Sequence, residues 1–226
     1  MIPWTLIDTA RMPGGSDELR LKRRGSEYSI MLGTNELMNS RLSGSEEALA
    51  KLSCDRITHQ PKPSMLIGGL GMGFTLRAAL AELNAQASIT VAELVPAVVA
   101  WARGPMAGVF GGSLTDPRVT IRETDVGTLI RSEKAAYDAI LLDVDNGPEA
   151  LTRSENDNIY SASGLIAAKA ALRPGGVLSV WSSGPDTQFT KRLRQAGFAT
   201  EEVSVRANGK RGGARHVIWL AVKAGA

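Results

Sequence analysis

Met65-Leu66-Ile67-Gly68-Gly69-Leu70-Gly71-Met72-Gly73-Phe74 is the stretch on which the reading of this sequence turns. A short apolar strand runs into four glycines, and a helical pattern begins over 75–83. Glycine reaches backbone angles closed to other residues and lets main chain approach a ligand closely. The helix start behind such a turn presents unpaired N–H groups to the same space. Strand, glycine turn and helix together predict the first unit of an open α/β sheet.

The same alternation continues downstream. Ser88-Ile89-Thr90-Val91-Ala92-Glu93 reads as the next strand, followed by a helix over 96–103. Val119-Thr120-Ile121-Arg122 and Ala139-Ile140-Leu141-Leu142-Asp143 read as a third and fourth strand. A helix over 161–172 stops at Arg173-Pro174-Gly175-Gly176, and Val177-Leu178-Ser179-Val180-Trp181 is a fifth strand. A further helix over 187–196 closes at Gly197. Two last strands, over 200–205 and 216–222, flank a glycine-rich loop and predict a hairpin. Alternating strands and helices predict a mostly parallel sheet covered on both faces. With the antiparallel hairpin it has seven strands.

Upstream the pattern differs. Leu19-Arg20-Leu21-Lys22-Arg23 alternates apolar and charged side chains, and Tyr28-Ser29-Ile30-Met31-Leu32 is a second short strand. Turns at Gly25 and Gly33-Thr34-Asn35 make this a small antiparallel β-meander. Ser43 then caps a helix with Glu46 and Glu47 in its first turn, continuing to Leu52. The expected organisation is a β-meander and helix over 1–60, then a Rossmann-like domain over 61–226.

Composition narrows the function classes. The 226 residues are 43% hydrophobic and 22% charged, as in ordinary globular chains. No stretch reaches the ~20 apolar residues of a membrane span, and Met1-Ile2-Pro3-Trp4 lacks the features of a secretory signal. One cysteine, Cys54, cannot form an internal disulfide and reads as a buried, inert thiol, so a cytoplasmic protein is expected. The net charge of +3 comes from scattered short basic groups, and aromatics are only 5%. Neither feature makes a nucleic-acid footprint, and no nucleic-acid or membrane partner is expected.

The candidate site gathers at strand ends. Glu93 closes the strand after the glycine turn, where a carboxylate accepts hydrogen bonds from ribose hydroxyls. Gly69-x-Gly71-x-Gly73 departs from the dinucleotide fingerprint, which argues for an adenosyl ligand over a pyrophosphate cofactor. Asp125, beside Thr124, sits near adenine or caps the helix over 126–131, and both readings stay open. Asp143, at the end of the fourth strand, can hold a substrate amine or remove its proton. Asp145 and Asn146 in the loop beyond, and Trp181 at the end of the fifth strand, are candidate substrate contacts, with packing the alternative for Trp181. His59 and His216 lie in no metal-ligand pattern, and no third acid joins Asp143 and Asp145, so no metal is expected.

Together these motifs resemble the spermidine synthase family, the aminopropyltransferases, within the class I S-adenosylmethionine-dependent methyltransferase superfamily. The resemblance spans residues 20 to 222. It is carried by Ile67-Gly68-Gly69, Val91-Ala92-Glu93-Leu94, Asp116-Pro117-Arg118-Val119, Thr124-Asp125, Tyr137-Asp138 through Asp143, and Leu172-Arg173-Pro174-Gly175-Gly176-Val177. It implies a pocket for S-adenosylmethionine or its decarboxylated form, Asp143 as catalytic acid, a small-molecule acceptor such as an amine, and a homodimer. Four departures stand beside it. Gly71 falls where the family's turn carries an aspartate for the donor's amino end, and Met38 where it carries a glutamine. Glu47-Ala48-Leu49 replaces a tyrosine-histidine-glutamate element, and Val144-Asp145-Asn146 a serine-rich loop. The expected function is a spermidine synthase-like transferase moving a methyl group to an unassigned acceptor. The alternatives are aminopropyl transfer from decarboxylated S-adenosylmethionine to a polyamine, and a non-catalytic scaffold.

Overall fold

The structure, a computed structural model, describes residues 2–144, 148, 157–209 and 212–225. It opens with β1 (Thr5–Arg11), β2 (Glu18–Arg24), β3 (Glu27–Leu32) and β4 (Asn35–Asn39), joined in chain order as a four-stranded antiparallel sheet. The expected meander is therefore present, with a strand added on each edge. β1 is almost wholly exposed, so its sequence carries no buried alternation. It is tied down by Trp101, whose indole N–H donates to Asp8 Oδ2 at 2.7 Å.

α1 (Gly44–Ile57) follows and is five residues longer than the sequence predicts. Ser43 stands at its N-cap but does not cap the backbone; its hydroxyl donates to Glu47 Oε1 at 2.8 Å instead. The helix packs on the second, larger sheet, where Ser53 Oγ meets Ser179 Oγ at 2.7 Å in the interior.

That larger sheet is assembled from β5 (Ser64–Gly68), α2 (Phe74–Glu82), β6 (Ser88–Glu93), α3 (Pro96–Arg103), the short α4 (Ala107–Phe110), β7 (Val119–Glu123), α5 (Val126–Ser132) and β8 (Tyr137–Leu142). Beyond them come α6 (Asp157–Tyr160), α7 (Ala162–Ala171), β9 (Leu172–Ser182), α8 (Thr187–Gln195), β10 (Phe198–Arg206) and β11 (Arg215–Lys223). The strand order is β10-β11-β9-β8-β5-β6-β7, parallel except for β11, which runs antiparallel to both neighbours. The expected seven-stranded α/β sheet with its terminal hairpin is the observed one.

One boundary differs. Arg173-Pro174-Gly175-Gly176 interrupts no strand; it forms a bulge inside β9, across which the register with β8 shifts from Leu172 to Val177. Gly175 takes φ +76° there, and Arg173 reaches Asp138 Oδ2 at 2.7 Å.

Side chains alternate between the two faces of the sheet, as strand geometry requires. Met65, Ile67, Val91, Leu141 and Ile218 point to the face covered by α1, α2 and α3, and Leu19, Leu21, Tyr28 and Ile30 of the first sheet join that same cluster. Leu66, Ile140, Leu178 and Trp219 point to the other face, under α5, α7 and α8. No described helix is long and apolar enough to cross a membrane.

Candidate functional site

β5 is flanked by β6 on one side and β8 on the other, so the chain crosses over in opposite directions from it. In an open α/β sheet the crevice lies beyond the carboxyl ends of such a pair. Gly69 N–H donates to Ala92 O at 2.9 Å, and Asp143 N–H to Gly68 O at 3.0 Å. The glycine turn is thereby stitched to both neighbouring strand ends.

Gly69 has φ +91°, and a Cβ added there would stand 2.5 Å from Asp143 O. Gly73, at φ +74°, packs so closely on Phe110 that an added Cβ would lie 2.4 Å from the ring. Both positions therefore demand glycine twice over, for conformation and for space. Gly71 is different: its nearest neighbour is Met38, with Sδ 3.1 Å from an added Cβ. Two of the four departures from the family pattern thus meet, a thioether lying over a bare backbone.

Glu93 is buried, with 8% of its surface exposed, and both carboxylate oxygens are engaged. Oε2 accepts from Leu70 N–H at 2.9 Å and Oε1 from Val95 N–H at 2.8 Å. It locks the turn to the end of β6. Burial raises its pKa, and the backbone N–H groups oppose that rise. The backbone N–H groups of Gly71 and Leu94 also bear on it, so the carboxylate sits within the turn at the mouth of the crevice. Asp125 does cap α5, accepting from Thr128 N–H at 2.8 Å, and also meets Arg131; the same side chain lines the crevice. The two readings of Asp125 are compatible.

Asp143 follows directly on β8. Its Oδ2 accepts from Thr75 Oγ1 at 2.7 Å, in the first turn of α2. Burial pushes its carboxyl up to about 7, the charge of Glu46 adds to the rise, and the Thr75 hydroxyl opposes it.

These groups share one cavity of about 200 Å³. Gly69, Gly71, Gly73, Glu93, Thr124, Asp125, Asp143 and Trp181 all line it. Asp145 and Asn146 lie outside the described residues. The first sheet supplies the facing wall through Leu19, Ile30, Leu32, Leu37 and Met38. Sequence reasoning missed Asp17 and Glu46, which also line it, and Thr75, which holds Asp143. Glu46 reads as a helix-dipole acid beside Glu47. Neighbours on a helix point different ways, and that was the available signal that one of the pair faces inward.

Five carboxylates, of Asp17, Glu46, Glu93, Asp125 and Asp143, thus converge on the cavity. Among the described residues lining it there is no lysine, arginine or histidine.

A Rossmann-like sheet with a glycine turn at its switch point and a terminal hairpin defines the class I methyltransferase-like fold. No family model matches the chain. It is 29% identical over 153 residues to polyamine aminopropyltransferase 1 of Streptomyces coelicolor, covering 64% of this chain and 28% of that one. It is 32% identical over 146 residues to the polyamine aminopropyltransferase of Mycobacterium tuberculosis H37Rv, covering 60% and 27%. The chain thus spans little more than a quarter of these relatives. The crystal structure of spermidine synthase from Thermotoga maritima superposes with a TM-score of 0.74 at 19% identity, covering 96% of this chain and 72% of that one. A spermidine synthase in complex with the transition-state analogue AdoDATO gives 0.73 at the same identity and coverage. The chain has a class I methyltransferase-like fold and is similar to the spermidine synthases. These relatives are named for aminopropyl transfer, and their names do not support the expectation of methyl transfer.

Proposed function

We propose that the chain binds decarboxylated S-adenosylmethionine and transfers its aminopropyl group to an amine. The observation that carries this reading is the charge of the cavity: five acids and no base among its described lining residues. S-adenosylmethionine brings a carboxylate into that ring of acids with no lysine, arginine or histidine among the described lining to receive it. Its decarboxylated form brings a sulfonium and an ammonium, both cations, and an amine acceptor brings another. Asp125 is already paired with Arg131, whereas Glu46, Glu93 and Asp143 form no ion pair among the described residues; uncompensated buried charge of one sign is costly, so the cavity favours the cationic pair.

The chain's groups divide the work. The Gly69–Gly73 backbone and Glu93 receive the nucleoside, with Thr124 and Asp125 beside the adenine. The acceptor nitrogen attacks the methylene carbon next to the sulfonium. A C–N bond forms, the C–S bond breaks, and its electron pair returns to sulfur, leaving neutral methylthioadenosine. The nitrogen's proton goes to Asp143, whose carboxyl, at about 7, is matched to accepting it near neutral pH. Thr75 holds Oδ2, which orients the carboxylate. Most of the acceleration comes from alignment, with no covalent role for a protein group.

Calorimetry with S-adenosylmethionine, its decarboxylated form and methylthioadenosine tests the reading. The decarboxylated donor is expected to bind more tightly than S-adenosylmethionine, and transfer to fall by roughly 10²–10⁴-fold in Asp143→Asn. Preference for the carboxylated donor, or no binding by any of the three, overturns it; the second outcome leaves a scaffold.

A further inference from the structure

The start of α1 is fixed by residues from the far end of the chain. Gly44 N–H donates to Ala207 O at 3.0 Å, and a Cβ at Gly44 would stand 2.2 Å from Gly209 N. The first turn of α1 therefore rests directly on the loop between β10 and β11. From β11, His216 Nδ1 lies 3.0 Å from Ser45 Oγ, and Ser45 Oγ donates to Glu46 Oε2 at 2.7 Å. A hydroxyl has one proton, and here it is spent on Glu46. Nδ1 is thus the donor, and the chain of bonds runs His216 to Ser45 to Glu46. Trp181, itself on the cavity wall, meets the His216 ring edge-on at 4.8 Å and steadies it.

This chain orients Glu46 without bringing a cation to it: burial raises the pKa of its carboxyl, and the Ser45 hydroxyl opposes that rise. Burial lowers the pKa of His216, so the ring is neutral at neutral pH. The other charged groups around Glu46 are acids: Glu47 on its own helix, Asp143 from the end of β8, and Asp17 on the same cavity from between β1 and β2. The charges of Glu46 and Asp143 are close enough to act on one another. An oriented carboxylate beside a second one, with no cation among the described lining residues, is an unfinished ion pair. The names of the relatives point independently to an amine as the missing partner.

We propose that Glu46, set in place by Ser45 and His216, is the residue that recognises the acceptor, holding its ammonium between Glu46 and Asp143 until Asp143 takes a proton and frees the nitrogen lone pair for attack. The inference rests on the amine-transfer reading above and adds a residue to it. Glu46 contacts the substrate; Ser45 and His216 are positioning residues. Glu46 also has a second effect, since its negative charge keeps a proton on Asp143 to higher pH. Removing that charge lowers the pH at which Asp143 becomes a base.

Glu46→Gln, nearly isosteric, tests this with 1,4-diaminobutane as the acceptor probe. KM for the amine is expected to rise about tenfold or more, the loss of one ion pair. The acid limb of the rate profile moves to lower pH, and the dissociation constant of methylthioadenosine stays within about twofold of wild type. Glu46→Asp restores part of the amine affinity, and Ser45→Ala shifts KM in the same direction by less. An unchanged KM with an unmoved limb overturns the proposal. If neither protein shows transfer, the transfer reading fails, and amine binding by calorimetry then decides for Glu46: weaker binding by Glu46→Gln supports it, and equal binding overturns it.

Discussion

Asp143 carries a consequence for stability as well as for rate. Its carboxyl ionises at about 7 in the folded chain, against 3.8 for an ordinary aspartate. Between those values the folded chain holds a proton that the unfolded chain has released, so folding loses stability as pH rises through that window and stays lower above it. Asp143→Asn removes this dependence. Its thermal midpoint is expected to lie above that of wild type at pH 8, with the gap closing towards pH 4. A gap that is the same at both ends shows that burial and Glu46 do not hold the proton. At this scale the sequence is legible where a residue sits at a strand end. Gly69, Glu93 and Asp143 are found because the apolar runs before them fix their place at the sheet edge. Glu46 is not, because what makes it notable is Asp143, far along the chain and brought beside it only by packing. Thr75 is hidden for the same reason; its partner is again Asp143.

The turn between β5 and α2 holds its shape for two separable reasons, and substitutions distinguish them. At Gly69 an added methyl meets the Asp143 carbonyl, which β8 fixes; at Gly73 it meets the Phe110 ring, a side chain able to change. Gly69→Ala and Gly73→Ala are each expected to destabilise by about 2–4 kcal/mol, from strained φ and overlap together. Adding Phe110→Leu recovers part of the loss at Gly73, whereas nothing on the neighbouring side chains relieves Gly69. Chemical denaturation of the two single variants and the Gly73/Phe110 double variant checks this, and equal rescue at both positions contradicts it. Elements of this kind were readable when both faces are buried, as in β5 and β8, since a run such as Tyr137-Asp138-Ala139-Ile140-Leu141-Leu142 has few alternatives to an interior strand. β1 was unreadable because it buries almost nothing; it is held by its ladder to β2 and by an indole hydrogen bond from α3. The Arg173–Gly176 stretch was legible as a break but not as a bulge. Whether a chain that stops at Pro-Gly-Gly turns back or rejoins its strand depends on what lies beside it, here Asp138 of β8.

At the scale of the molecule, the seam between the two sheets decides how the chain unfolds. Leu19, Leu21, Tyr28 and Ile30 of the first sheet belong to the cluster that also contains Leu49 of α1, Leu76 of α2, Val98 and Trp101 of α3, and Ile67 of β5. A core continuous across both sheets gives neither one a separate apolar interior to keep when the other opens, and this predicts a single cooperative transition. Leu21, in β2, is fully buried in that cluster, and Leu21→Ala is expected to cost about 2–5 kcal/mol. Its unfolding, followed by far-ultraviolet dichroism and by fluorescence of Trp101 and Trp219, is expected to shift as one transition for both probes. The candidate site sharpens the test, because the first sheet supplies one wall of the cavity and the glycine turn the other. A nucleoside bound across that seam stabilises only the state in which both walls are present. Methylthioadenosine at 100 times its dissociation constant therefore adds about 2.7 kcal/mol to the whole transition, in wild type and in Leu21→Ala alike. If Leu21→Ala instead melts in two steps, with the ligand raising only the later one, the first sheet folds apart from the site and the wall it supplies is dispensable for nucleoside binding.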